Sequence, residues 1–324
     1  ICCANAGDAH AYGADKLTGR LDDAFSAWFE KSVFVLPLVS GTAGNSIALA
    51  QVCPPYGAVF CHEEAHIAVD ECGAPEFYGG GLKLIPLPGE NGKLTSGGLQ
   101  ERLGWFGIKG DHEPVAAGVS LTQATECGTV YRAEEIGELA AVARQAGMRV
   151  HLDGARFANA LAFLEYTPAE LTWRAGVDLM TLGATKNGAM AAEAVVVFDP
   201  DLVAGLSRRR MKGGHLLSKM RYVSAQLLAW LDEDRWLKLA TAANAGAARL
   251  AGAIDASEHA RLAYPTEANE VFAFLEPQLD EALRGAGFDY YPWPGHPGLF
   301  RLVVPWNVTE ASLQRFEEVL AGSG

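Results

Sequence analysis

The chain lacks any apolar run approaching the roughly 18 to 20 residues needed to cross a bilayer. Its first residues, Ile-Cys-Cys-Ala-Asn-Ala-Gly-Asp, have neither the basic flank nor the long apolar core of a secretory signal. No membrane is therefore expected as a partner. Positive charge is also scarce. Against 39 Asp and Glu there are 26 Lys and Arg, a formal net charge of −13. That balance argues against nucleic acid or an anionic membrane surface as the main partner. Cysteine is sparse too: Cys2, Cys3, Cys53, Cys61, Cys72 and Cys127, with no Cys-x-x-Cys pair. They read as reduced thiols of a cytoplasmic protein, mostly buried, and not as a disulfide framework. There is no internal repeat and no low-complexity tract. The chain starts at Ile1 without a methionine, and its front is expected to be incomplete.

What is present describes a globular chain of 324 residues, with 49% apolar and 20% charged residues. The length exceeds what one core usually supports, so two subdomains are expected. Residues 1–20 read as a polar, Gly- and Ala-rich arm. A helix is predicted over 21–29, with Leu21, Phe25, Trp28 and Phe29 on one face. Strands are predicted at 33–39, 58–61, 82–87, 115–122 and 148–152. A helix is predicted over 133–146, closed by Gly147. This alternation implies βαβ units and a mostly parallel sheet. A long apolar helix is expected over 215–231 and an Ala-rich helix up to about 254. Strands near 270–275 and 299–304 complete a smaller α+β domain. The expected division is 1–235 and 236–324.

The chemistry concentrates between Val150 and Gly188. Val-His-Leu-Asp-Gly-Ala-Arg opens this stretch and Thr-Leu-Gly-Ala-Thr-Lys-Asn-Gly closes it, each an apolar run followed by polar residues and glycine. Polar residues at the carboxyl ends of such strands meet at the rim where open α/β sheets bind ligands. Asp153, Arg156 and Lys186 should converge there. An acid to keep a pyridine nitrogen protonated and a lysine to bond an aldehyde are what pyridoxal 5′-phosphate (PLP) requires. The plainer alternative is a helix-capping Asp153 and a solvated Lys186. Upstream, Ser-Gly-Thr-Ala-Gly-Asn (Ser40 to Asn45) lies between a strand and a helix expected from 46 to 52. Free amides and the positive end of the helix dipole suit a phosphate at such a turn. His62-Glu63-Glu64-Ala65-His66 matches His-Glu-x-x-His, which on a helix would place His62 and His66 on one face for zinc with Glu63 as base. The match follows a short strand and has no evident third ligand, so zinc is the lesser expectation. Arg301 sits within an apolar strand, either as an outward edge residue or as a two-bonded clamp for a carboxylate.

The pair His-Leu-Asp-Gly-Ala-Arg-Phe-Ala-Asn-Ala (His151 to Ala160) and Thr-Lys-Asn-Gly (Thr185 to Gly188), in this order and separation, resembles the low-specificity L-threonine aldolases. These are fold-type-I PLP enzymes of the β-eliminating lyase superfamily, and the resemblance runs from about Ala11 to the C-terminus. It implies retro-aldol cleavage of L-β-hydroxy-α-amino acids such as L-threonine and L-allo-threonine to glycine and an aldehyde. It implies Lys186 as the cofactor lysine, Asp153 at the ring nitrogen, His66 stacked on the ring, and Arg156 on the ring hydroxyl or the substrate carboxylate. The same likeness assigns the phosphate to Gly41, Thr42 and Ala43, with Arg210 and Arg221 as basic residues near it. Arg301 and Tyr12 become substrate-binding candidates. It also implies a homo-oligomer, a dimer or a dimer of dimers (homotetramer), with shared active sites. Two departures stand out. Many relatives carry a second histidine where this chain has Glu126-Cys127, so the base for the β-hydroxyl is open between Glu126, His66 and a held water. The family's early Ser-Asp segment is missing. Other readings are a different PLP-dependent elimination, the zinc hydrolase, and a cofactor-free binding protein.

Overall fold

The structure is a computed structural model that describes residues 1–322. Its larger sheet has seven strands: β1 (Phe34–Leu38), β2 (Gly57–His62), β3 (Lys83–Leu87), β4 (Val115–Thr122), β5 (Arg149–Gly154), β6 (Leu179–Gly183) and β7 (Glu193–Val197). Their order is β1-β7-β6-β5-β4-β2-β3. The run from β6 through β5, β4 and β2 to β3 is parallel, as the alternating pattern predicts. β7 is antiparallel to both β6 and β1. The reason is the connection: only a short 3-10 turn, Thr185–Asn187, lies between β6 and β7, and a link this short cannot cross over to make a parallel pair. β1, antiparallel to β7, therefore runs with β6. The carboxyl ends of β1, β2, β4, β5 and β6 share one rim.

The helix Gly41–Val52 starts five residues earlier than its apolar pattern indicates. Gly41-Thr42-Ala43-Gly44 is its first turn and not a separate loop. The helix lies so close to the sheet that a Cβ on Gly44 would stand 2.5 Å from Thr181 Cγ2. Small residues there permit the approach, and the eight residues Ala43 to Ala50 are all buried. The helix expected over 215–231 forms only at Arg221–Leu231. Ahead of it the Leu217 N–H turns to Met220 Sδ, a local bond that replaces the helical one.

Trp28, on the helix Leu21–Phe29, meets Phe157, Trp230 and Trp236 edge-on at 6.1, 5.6 and 5.2 Å. That cluster ties four helices together behind the sheet. The smaller sheet is antiparallel, in the order β10-β11-β9-β8, from Ala260–Leu262 (β8), Glu270–Leu275 (β9), Tyr291–Pro292 (β10) and Leu299–Val303 (β11). It has its own core of Val271, Ala273, Leu302, Leu313 and Phe316. The helix Arg235–Asp255 serves both cores: Trp236 and Ala240 face the first, Ala247 to Ile254 the second. Among the described residues no helix is long and apolar enough to cross a membrane.

His151, in the middle of β5, is fully buried between Ser120 Oγ at 2.9 Å and Thr181 Oγ1 at 3.1 Å. Burial drives its imidazole down to about 4. The unfolded chain protonates this histidine near 6.5, so below that pH the unfolded state binds the extra proton and stability falls. The loss should run from pH 6.5 to about 4 at roughly 1.4 kcal/mol per pH unit at most. Urea unfolding at pH 7 and pH 5 of the wild type and His151→Gln should show a steeper fall for the wild type. Equal slopes would exclude a buried neutral His151.

Candidate active site

A cavity of about 170 Å³ opens at the shared rim. Most of the residues that line it come from the ends of strands, the turns after them or the starts of helices. Gly41, Thr42 and Asn45 come from the first turn and a half of the helix Gly41–Val52, where amides lack intrahelical partners. No atom lies within 4 Å of where a Gly41 Cβ would be, so the backbone there is open to a ligand. Asp153 closes β5, His66 follows β2, and Lys186 stands in the turn after β6. The sequence-derived set Gly41, Thr42, His66, Asp153 and Lys186 thus meets in one place.

Three further residues join them. Asn45 is buried and its Nδ2 donates to Asp153 Oδ2 at 2.7 Å and to Glu71 Oε1 at 2.8 Å. His66 Nδ1 lies 2.9 Å from the same Glu71 oxygen. The resulting chain His66–Glu71–Asn45–Asp153 orients both the imidazole and the carboxylate. The hydrogen bond to Glu71 raises the His66 imidazole above its ordinary value, against the opposing effect of burial. The second oxygen of Asp153 accepts the Ala155 N–H at 3.1 Å. Glu193, the first residue of β7, sits opposite Gly183, and burial lifts its carboxyl to about 7. Lys186 makes no hydrogen bond or ion pair among the described residues. Burial, then the charge of Arg156, pushes its ammonium below the usual lysine range, which makes the free amine a better nucleophile.

Beyond the cavity lies a charged cluster. Arg156 Nε donates to Asn269 Oδ1 at 3.2 Å, and its Nη2 is 3.0 Å from Glu270 Oε1. Arg301 Nε donates to the same Glu270 oxygen at 2.7 Å, and its Nη2 bonds there as well. Arg301 is therefore not an outward edge residue, and one edge of its fork is already occupied. Glu126 is buried beside this group. Desolvation, then the Glu270 charge, raises its carboxyl, while Arg156, His66 and Lys186 pull the other way.

The remaining candidates lie elsewhere. Ala43 is packed inside the first helical turn and does not line the cavity. Arg210 Nη1 donates to the Pro37 carbonyl at 3.3 Å, behind the cavity, with its Nε buried and unpartnered. Arg221 begins its helix over the ring of Tyr222, 5.4 Å away, next to the N-terminal segment. Tyr12 is exposed, held only through its backbone to the Ser218 carbonyl. The zinc arrangement does not form: His62 ends β2 instead of lying on a helix with His66. Its Nε2 pairs with the Gly89 carbonyl at 3.0 Å and its Nδ1 accepts the Glu64 N–H at 3.0 Å, so both ring nitrogens are used. The sequence reading missed Asn45, Glu71, Glu193, Asn269 and Glu270. For Glu193 and Glu270 a signal existed, a lone carboxylate at the head of an apolar strand.

The chain belongs to the beta-eliminating lyase family, which it matches over residues 2–278. Within that family it is 42% identical to the low specificity L-threonine aldolase of Pseudomonas aeruginosa over 306 residues, 94% of this chain and 87% of that protein. A counterpart from a Pseudomonas species is 41% identical over 96% of this chain and 89% of its own length. The structure of the Leishmania major threonine aldolase superposes with a TM-score of 0.92 at 28% identity, covering 99% of this chain and 93% of that one. An aspartate aminotransferase from Rhodobacter sphaeroides shares the fold at a TM-score of 0.70 and 16% identity. The fold is that of the fold-type-I PLP enzymes, and the chain is a PLP-dependent lyase.

The residues present fit that cofactor. The open amides at Gly41 and Thr42 suit a phosphate, Asp153 is aimed by Asn45 and Ala155, and Lys186 lines the cavity as an accessible amine with no partner among the described residues. Asp153→Asn should keep the fold and lower turnover by at least about 100-fold, because the amide cannot supply the charge that holds a pyridinium. A kcat near wild type, with an unchanged melting temperature, would leave Asp153 only its bond to Ala155. EDTA dialysis should leave activity intact; activity that vanishes and returns with zinc would restore the hydrolase reading.

Proposed function

We propose that this chain is a PLP-dependent L-threonine aldolase that cleaves L-threonine, L-allo-threonine and bulkier L-β-hydroxy-α-amino acids to glycine and an aldehyde. The carrying observation is the union in one cavity of Lys186, without a partner among the described residues, with Asp153, beside a cluster of two arginines braced by one carboxylate. The names of the 41–42% identical Pseudomonas relatives support the reaction.

PLP, when bound, supplies an electron sink for whichever substrate bond at Cα stands perpendicular to its ring. Lys186 would hold the cofactor by its amine. Asp153 would stabilise positive charge at the ring nitrogen. His66, held by Glu71, would face the bound ring and is one candidate to take the β-hydroxyl proton. Glu126 and a water held between these groups are the other candidates for that base. Arg156 and Arg301 would hold the α-carboxylate and so favour cleavage of Cα–Cβ over decarboxylation. Removal of the hydroxyl proton, rupture of Cα–Cβ and return of a proton to Cα give the aldehyde and glycine.

Arg210, Arg221 and Tyr12 lie outside the cavity of their own chain. With Phe77 and Met190 fully open to solvent, this supports a dimer or a dimer of dimers in which these residues serve a neighbour's site. Six unpaired thiols favour a cytoplasmic setting.

The test is aldehyde release from L-threonine, L-allo-threonine and phenylserine, coupled to alcohol dehydrogenase, on the purified yellow protein. Lys186→Ala should lose turnover and bind PLP only reversibly, and borohydride should fix the cofactor to Lys186 alone. Pyruvate and ammonia from serine or cysteine, with no aldehyde from any β-hydroxy amino acid, would replace the aldolase with an eliminase on the same fold.

A further inference from the structure

We propose that Glu270 is a positioning residue for the substrate's carboxylate: it fixes Arg156 and Arg301 so that both present their remaining Nη1 edges to one anion. The proposal rests on the amino-acid substrate just described. The geometry that carries it is asymmetric. A single oxygen of Glu270, Oε1, takes Arg156 Nη2 at 3.0 Å, Arg301 Nε at 2.7 Å and Arg301 Nη2. The other oxygen is buried with no partner. Neither Nη1 donates to anything among the described residues.

The three groups come from different parts of the fold. Arg156 follows β5 of the large sheet, while Glu270 and Arg301 are cross-strand neighbours at the start of β9 and in β11 of the small one. The buried carboxylate is thus a pin across the two cores, placed where the substrate must bind. Asn269 locks the pin: its Oδ1 accepts from Arg156 and its Nδ2 donates to the Val304 carbonyl at 2.8 Å. Gly128 closes it from behind, since a Cβ there would come within 2.9 Å of the Glu270 carbonyl oxygen.

Charge then decides between brace and competitor. Two guanidiniums and one carboxylate sum to a single positive charge, the complement of one monoanionic carboxylate. Glu126, the other carboxylate beside this group, is raised by burial and then by Glu270, which disfavours a second negative charge there. Were the substrate to displace Glu270, a carboxylate with no solvent exposure would be left unpaired, which is strongly unfavourable. The substrate therefore adds to Glu270 instead of replacing it. Without the Glu270 charge the two cations repel, and Arg301, with a side chain 20% exposed against 7% for Arg156, is the one free to swing away.

Holoenzyme carrying Glu270→Gln tests this. The absorption spectrum of the bound cofactor is titrated with glycine, which has the carboxylate, and with methylamine, which lacks it. The glycine Kd and the L-threonine KM should rise about tenfold, the order expected for one lost charge-assisted hydrogen bond, with a smaller change in kcat. The methylamine Kd should stay within about twofold of wild type. Glu270→Asp, which keeps the charge, should recover part of the glycine affinity, and it carries the same two-amine comparison should the Gln variant fail to fold. Equal weakening of both amines would reduce Glu270 to a general structural role. Unchanged or tighter glycine binding would make it a bystander or a competitor. A wild-type spectrum that ignores glycine would remove the amino-acid reading itself, whereas a normal wild-type response with glycine affinity unchanged in the variant would remove only the brace.

Discussion

One amide holds the reactive end of the sheet together. Asn45 Nδ2 bonds two buried carboxylates, Asp153 and Glu71, that would otherwise repel each other in a poorly solvated space. The bond pins the start of the helix Gly41–Val52 to the end of β5. It thereby fixes the distance between the open amides at Gly41 and the acid at Asp153. Through Glu71 it also sets the position of His66. The approach of that helix to the sheet depends in turn on Gly44, beneath which Thr181 of β6 leaves no room for a Cβ. The residues proposed for the phosphate, the pyridine nitrogen and ring stacking are thus positioned by one short run of small and polar residues.

The second constraint is the β6–β7 hairpin. A crossover helix after β6 would have carried Lys186 away over a face of the sheet. The short turn instead leaves the lysine at the rim, with Asn187 anchored to the Trp236 carbonyl at 2.8 Å and Glu193 entering as the first residue of β7. The antiparallel pair thus returns the chain quickly, so that Glu193 and Lys186 line one cavity.

Much of this was legible beforehand because it is local. Asp153 and Lys186 stand just after apolar runs, Gly41 and Thr42 lie in a strand-to-helix junction, and β4 and β9 are runs of strand length rich in β-branched or aromatic residues. What escaped is non-local. Asn45 reaches Asp153 across 108 residues, and Arg156 reaches Asn269 across 113. No periodicity reports such pairs. The start of the helix Gly41–Val52 was hidden because Gly and Thr favour turns by themselves and tolerate a helix only where tertiary packing rewards it. The His-Glu-x-x-His match, the lesser expectation, fails for a related reason. Its spacing is meaningful only on a helix, and the strand β2 runs through its first residue.

The long helix Arg235–Asp255 places Trp236 among the aromatics behind the large sheet and Ile254 in the core of the small one. Its first turns leave no space for a side chain on Gly188, where a Cβ would lie 2.6 Å from Leu239. Neither domain has a complete hydrophobic interior without this one element. The two halves therefore cannot melt independently: fraying that begins in the small domain strips a wall from the large one. The chain should behave as a single cooperative folding unit despite its two sheets.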